Sequence, residues 1–345
     1  MPHSTVAIKV VTTFPDRSTE SAWREFLNNA DFPSHYTAPE FFLEPRFRGN
    51  NPFAVLAYRG GSIVGVLTGT VTGKDVLSGQ ESSPQIALLP GQDAGPVLAR
   101  LIEGALGRGP RAGRTEICSW REMEAFAAAG FRCQELNGVV MIDLSQGPTA
   151  LFRGFSQRSN ITKAMRSGLE VAQASSAEEF GAYWEIYARW SADRGFAVVP
   201  QVEFCELFAR VDNRRLFLAR YEGKIIAGSV VRFNRHGLLE YAANSSLPQF
   251  QQLRANDLLQ WRIIEWGAAE GLRWYSMGGT SFFHQKFGGA TRATFRYCLD
   301  RSFLRRHDRK EQVLTLARRI WKSVPAGVKR RLLDLRANCS GASAK

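Results

Sequence analysis

The chain has 345 residues, with 45 Lys and Arg against 32 Asp and Glu, for a formal net charge of +13. That length exceeds what a single hydrophobic core fills, so two domains are expected. No run of about 18 apolar residues marks a membrane span and no basic-then-apolar leader opens the chain, so it reads as cytosolic, or bound to a surface from the cytosolic side. Five scattered cysteines without a CxxC pair, and five histidines without ligand spacing, argue against a disulfide framework and against a metal site.

In chain order, the first half reads as the strand "VAIKVVTT", a helix over residues 18–29, and a Pro/aromatic loop with a short helix, "FPSHYTAPEFFLEP". A strand pair about the Gly60–Gly61 turn follows, then an extended segment at "PQIALLP" and a helix over 94–106. The strand "TEICS", the helix "REMEAFAAAG" stopped by Gly130, and a final strand pair, "FRCQEL" and "VVMIDL", complete this half.

The second half opens on a basic helix, "SQRSNITKAMRSG", and the strand "LEVAQA". Ser176 and Glu179 have capping-box spacing at the start of a helix running to about Arg194, and a shorter helix covers 202–211. The sheet core is "LFLARY", a turn at 222–224, "IIAGSVVRFN", a turn at His236–Gly237, and "LLEYAANSS". A helix over 256–270 follows, with Asn256 as a plausible N-cap. The strands "LRWYSMGG" and "TFRYCLDRSF" close the sheet.

One device occurs twice. "YRGGSIVG" (58–65) and "YEGKIIAG" (221–228) align Tyr58/Tyr221, Gly60/Gly223, Ile63/Ile226 and Gly65/Gly228 at an offset of 163. Each half also carries a hairpin, a strand, a helix and another strand in one order, which points to duplication. The order strand–helix–helix–hairpin–strand–helix–strand–strand resembles the GNAT acyltransferase fold. More narrowly, the whole chain resembles the double-GNAT proteins of the CelD/FemAB-like group. The residues that carry the resemblance are "RSNITKAMRSGLEV" (158–171), "LFLARYEGKIIAGSVVRF" (216–233), the stretch 238–280 and "FHQKFGG" (283–289). It implies a mixed α/β sheet in tandem GNAT-like domains, 1–146 degenerate and 147–303 catalytic, followed by a basic helical tail, 304–345.

The resemblance also implies a reaction: transfer of an acyl group from acyl-CoA, as co-substrate, to an amino group of a saccharide or lipid-linked envelope precursor. No nucleophile motif such as GxSxG is present, so the amine attacks directly. The strand "LLEYAANSS" would splay from its neighbour and offer backbone groups, with Asn244 and Ser245, to an extended donor arm. The following helix would aim its N-terminus, around Gln252, Arg254, Ala255 and Asn256, at donor phosphates. GNAT enzymes usually have a Gly-containing turn there, and this chain has no Gly between Gly237 and Gly267.

Glu240 lies where GNAT-like enzymes often place a general base. Tyr241, Tyr275 and His284 are alternative proton acceptors or relays. Gly278–Gly279 would let backbone approach a ligand, and Lys286 before the second Gly pair would neutralise phosphate. Arg158, Lys163 and Arg166 form a basic stripe suited to a diphosphate-linked acceptor. An aminoacyl-tRNA donor and a non-catalytic, membrane-docked scaffold are the competing readings.

The charge is concentrated in the tail. Residues 301–345 hold 13 Lys or Arg against Asp308, Glu311 and Asp334, a net +10. "EQVLTLARRIWKS" sets Val313, Leu314, Ala317, Ile320 and Trp321 opposite Arg318, Arg319 and Lys322, and a second short helix is expected after Pro325. A basic amphipathic element over 304–336 points to an anionic membrane surface, with tRNA as the competing partner.

Overall fold

A computed structural model describes residues 5–324 except 48, 92, 110–112 and 211. The second short helix expected after Pro325 lies outside the described residues. Two compact units divide the chain, Met1–Pro110 with Thr115–Leu299, and Arg111–Arg114 with Asp300–Lys345.

The first half contains β1 (Ala7–Val11), α1 (Arg17–Leu27), a run of 3-10 turns within 35–47, β2 (Pro52–Arg59), β3 (Ser62–Thr72), β4 (Asp75–Ser78), β5 (Ile86–Leu88), α2 (Ala94–Leu106), β6 (Arg114–Ser119), α3 (Ala125–Ala128) and β7 (Arg132–Asp143). The second contains α4 (Pro148–Gly154), α5 (Arg158–Arg166), β8 (Glu170–Gln173), α6 (Ala177–Ala192), α7 (Gln201–Arg210), β9 (Arg214–Tyr221), β10 (Lys224–Phe233), β11 (Leu238–Ser246), α8 (Ala255–Ala269), β12 (Trp274–Ser276), α9 (Phe282–Gln285) and β13 (Ala290–Asp300), and α10 (Arg306–Ser323) follows.

The mixed α/β reading is correct. One 13-stranded sheet runs β1-β2-β3-β4-β6-β13-β7-β12-β11-β10-β9-β8, with β5 on β3. The last strand of each half has crossed over: β7 pairs with β12, and β13 lies between β6 and β7. Central strands are covered on both faces. Phe53, Val55 and Ala57 of β2 pack with Val97 and Leu101 of α2, while Ala54 and Leu56 pack with Trp23 and Phe26 of α1. In β9, Phe217 and Ala219 meet α8, while Leu216 and Leu218 meet Tyr183 of α6 and Phe204 of α7. Strands buried on both faces lose the apolar/polar alternation and become continuous apolar runs.

Three details differ from expectation. "FRCQEL" and "VVMIDL" form one strand, β7, and not a pair. Gly138 has φ +71° inside it, and a Cβ there would stand 1.8 Å from the Arg292 carbonyl oxygen, beside a register shift between Arg292 and Thr294. The glycine accommodates a bulge instead of turning the chain. The helix expected over 121–130 is the single turn α3.

The third concerns the repeat. Arg59 pairs with Ser62 and Tyr221 with Lys224, so equivalent hairpin residues stand 162 apart, not 163. Each hairpin has a two-residue turn with positive φ at both positions, Gly60–Gly61 and Glu222–Gly223. Each then has one bulged residue at the same place, Val64 and Ile226. A slip of one residue changes the face of every side chain. Accordingly Ile63 faces α1, whereas Ile226 faces α8. The matching letters are displaced by one from the matching positions, yet the backbone device does recur.

Candidate active site

β11 and β12 run parallel for three residue pairs, Leu238–Trp274, Leu239–Tyr275 and Glu240–Ser276. There they part. The Met277 amide donates to the Val140 carbonyl and the Val140 amide to the Gly279 carbonyl, both at 3.0 Å, so 277–279 follow β7. β11 continues to Ser246 along β10 alone, with Ala242 bulged between the pairs Val231–Tyr241 and Val230–Ala243. The edge of 241–246 that faces away from β10 is thus free of a β12 partner, as a splayed donor strand requires.

A cavity of about 210 Å³ lies at the end of that edge, lined by Ile226, Ser246, Leu247, Phe250, Gln251, Arg254, Ala255, Asn256, Asp257, Phe283 and Lys286. The N-terminus of α8 opens into it. Arg254, not Asn256, is the N-cap; it holds the left-handed conformation (φ +60°, ψ 33°), and no side chain caps the helix. Here a non-glycine residue adopts the backbone shape that glycine takes most easily. Asn256 instead sits in the first turn, its amide nitrogen 3.3 Å from Ser246 Oγ. Lys286 reaches the same place, where it pairs with the buried carboxylate of Asp257 and lies 4.3 Å from the Phe283 ring centroid. Gln252 is exposed and does not line the cavity.

Beside the parting point, the Tyr241 ring stands 5.8 Å from His284 and 6.3 Å from Phe283. Gly278 turns at φ +73° next to the Tyr241 carbonyl, and a Cβ on Gly279 would press to 2.9 Å from the His284 ring. His284 Nδ1 accepts from the Ser281 amide at 3.3 Å, and burial lowers its pKa. A neutral ring accepting at Nδ1 carries its hydrogen on Nε2, which makes it a donor. Burial pushes Tyr241 up to about 12. Tyr275 is fully buried, with its hydroxyl donating to Gln260 Oε1 at 2.5 Å, a core position.

Glu240 points to the other face, toward the first half. Its carboxylate accepts from the His35 amide at 3.0 Å and is 5% exposed. Burial raises its pKa to about 7, although the His35 amide and Arg232 favour the charged form. Behind it lies a cluster shared by the halves. Burial alone would raise the pKa of Glu44, but Arg232 and Arg214 hold it well below the usual range. Arg232 donates to Glu44 at 2.8 Å and to the Tyr36 hydroxyl at 2.6 Å, and Arg214 also pairs with Glu44. His35, whose pKa is lowered by burial against the pull of Glu44, donates through Nε2 to Glu44 at 2.6 Å and accepts at Nδ1 from Asn213 at 2.9 Å.

The structure therefore gathers Arg254, Ala255, Asn256 and Lys286 about one cavity. Tyr241, Gly278, Gly279 and His284 meet beside the parting point, Ser245 is buried at 1% exposure, and Glu240 stands at the parting point with its carboxylate on the opposite face. Arg158, Lys163 and Arg166 are exposed on α5 and line no part of the cavity. The residues missed in the sequence are Asp257, which neutralises Lys286, and the His35–Glu44–Arg214–Arg232 cluster. A signal for the latter existed: "HYTAPEFFLE" places one His and two Glu in a segment rich in aromatic and apolar residues.

A family description, Acetyltransferase (GNAT) domain, matches residues 156–286, so the GNAT resemblance and the acyltransferase class hold for the second half. No curated protein matches the chain. Among solved structures, FemX is 14% identical with TM-score 0.63, covering 85% of this chain and 98% of its own. L-PGS from Bacillus licheniformis is 13% identical with TM-score 0.56, covering 83% and 92%. A conserved protein of unknown function from Bacteroides thetaiotaomicron is 13% identical with TM-score 0.55, covering 85% and 100%. At such identities the likeness is one of fold, and it extends over both halves.

Proposed function

We propose that this acyltransferase moves an acyl group from acyl-CoA to the amine of a saccharide or lipid-linked cell-envelope precursor, at the inner face of the membrane. The observation that carries the reading is the parting of β11 from β12 after Glu240 and Ser276, which leaves the edge of 241–246 open beside the α8 cavity. The donor's extended arm would add to that edge, with its phosphates at the α8 N-terminus, Arg254 and Lys286. The acceptor nitrogen attacks the carbonyl carbon, the C–N bond forms and the C–S bond breaks. Glu240, with a pKa near neutrality, takes the amine proton, and the departing thiolate is protonated in turn.

Two observations favour an aminoacyl-tRNA donor instead: Arg254 stands where a glycine turn is usual in coenzyme A enzymes, and Asp257 already offsets the charge of Lys286. Isothermal titration with acetyl-CoA and longer acyl-CoA species tests the donor. Heat of binding below millimolar ligand, weakened at least about tenfold by Lys286→Ala, supports coenzyme A. No binding at millimolar ligand removes it. Loss of transfer after ribonuclease treatment of an extract assay decides for tRNA.

A further inference from the structure

α10 is 18 residues long, and its start is clasped within its own unit. Asp300 Oδ2 accepts from the amides of His307 and Asp308, both at 2.9 Å, Asp300 Oδ1 accepts from the Ser302 amide at 2.9 Å, and Ser302 Oγ accepts from the Arg306 amide at 3.1 Å. The first-turn amides are therefore satisfied by side chains that are themselves buried, which sets the rotation of the helix about its axis. His307, Asp308 and Glu311 fall on one side and are buried or half-buried. At helical spacing, Arg306, Arg309, Lys310, Val313, Leu316 and Ala317 share the other side, and all are exposed. Val313 is 65% exposed and Leu316 59%, and Phe303, just before the helix, is 84% exposed.

We propose that this face of α10 docks on an anionic phospholipid bilayer, with Val313 and Leu316 in the interface and Arg306, Arg309 and Lys310 against the headgroups. Apolar side chains held out beside a run of cations match the two layers of such a surface, an acyl boundary under anionic headgroups. A second copy of the chain would bring the same positive charge to the contact, which opposes pairing. A nucleic-acid backbone would use the charge but leave Val313 and Leu316 in water. No helix among the described residues is long and apolar enough to cross a membrane, so this attachment lies on the surface. The inference stands on the second compact unit alone and holds whichever donor the cleft takes.

The test is co-sedimentation of the full chain with vesicles of phosphatidylcholine, with and without phosphatidylglycerol. Expected is binding that requires phosphatidylglycerol and weakens with salt. Arg309→Glu with Lys310→Glu should reduce partitioning by at least about tenfold. Val313→Asp with Leu316→Asp should abolish it while leaving the melting temperature unchanged, since these side chains are exposed. The proposal is overturned if the wild type stays in the supernatant, if either double variant binds as the wild type does, or if light scattering without vesicles shows a dimer that Val313→Asp dissociates. Donor titration is unaffected by these variants, so the vesicle result and the donor assignment stand or fall separately.

Discussion

The two halves of the sheet are built alike and differ where chemistry would occur. Val76–Thr115 and Leu77–Glu116 in the first half occupy the places of Leu239–Tyr275 and Glu240–Ser276 in the second, so both sheets have a short parallel pairing at the same point. Beyond it the second half runs straight on as β11 and leaves an edge free. The first half breaks off at Ser78 and returns to β3 at Gln85, whose carbonyl accepts from the Thr68 amide at 3.0 Å, after an excursion through 79–84. That excursion is tied down: Glu81 accepts from the Gly138 amide at 2.9 Å, and its carbonyl accepts from Thr294 Oγ1 at 2.9 Å. Leu77 stands where the second half has Glu240. The helix that follows is closed as well, because Asp93 accepts from the Gly95 amide at 3.1 Å and caps α2, whereas nothing caps α8. One half has filled its cleft with its own chain; the other has kept it open.

If the halves were self-sufficient, cutting the chain at 146/147 would yield two folded fragments. The exchange of β7 and β13 predicts otherwise. Each fragment would contain a long strand whose partners lie in the other, exposing apolar strand edges to water. We expect each fragment alone to be insoluble or to lack cooperative melting by circular dichroism, and co-expression to restore one folded complex. Cooperative unfolding of fragment 147–345 by itself would break this view of the pseudo-symmetric sheet. This is the largest effect foreseen.

What the sequence could reveal follows the same division. Element order, the α/β class and the place of the cleft were legible because strand and helix periodicities are local, as in "LLEYAANSS" followed by the α8 run. The exchange of strands was not, because it depends on which distant edge β7 and β13 find. The identity matches at 163 misled by one residue, since a β-strand records face by parity and letters do not carry it. Lys286 stands out in the sequence beside its Gly pair, whereas nothing local distinguishes Asp257, an acid in the first turn of a helix, and only the fold buries it at 4% exposure against that lysine. His35, Glu44, Arg214 and Arg232 come from segments about 170 residues or more apart, and only the fold joins them.

Glu240 offers a sharper test of the contrast, because its counterpart Leu77 has no proton to titrate. Its folded pKa, about 7 against 4.5 for a free glutamate, means that the folded state binds a proton more tightly than the unfolded chain. The stabilising contribution is complete below about pH 4.5 and is lost as the pH rises through 7. At 1.36 kcal/mol per unit, the change is about 3 kcal/mol across that window. Glu240→Gln should abolish this slope in urea-unfolding free energies measured between pH 4.5 and 8, and melt a few degrees above the wild type at pH 8. Parallel pH profiles for the two proteins would mean that the carboxylate is not held in this environment.

The smallest effects concern the two helix starts, and they should differ in size. Asp93→Ala removes a side-chain cap from α2 and should cost about 1 kcal/mol, as N-cap losses do. Arg254→Gly removes the left-handed strain of a non-glycine residue, about 1 kcal/mol, but adds a similar backbone entropy cost, so the net change should stay within about 0.5 kcal/mol. Its consequence should appear in binding instead: a glycine at 254 keeps the helix start and deletes the guanidinium beside the cavity. Affinity for coenzyme A that rises in Arg254→Gly would indicate that close backbone approach matters more than charge. Affinity that falls would show Arg254 to be the donor's counter-charge. A loss of more than about 1.5 kcal/mol in stability would mean that the Arg254 side chain supports the fold, and the distinction between a sealed helix end and one left open for a ligand would fail.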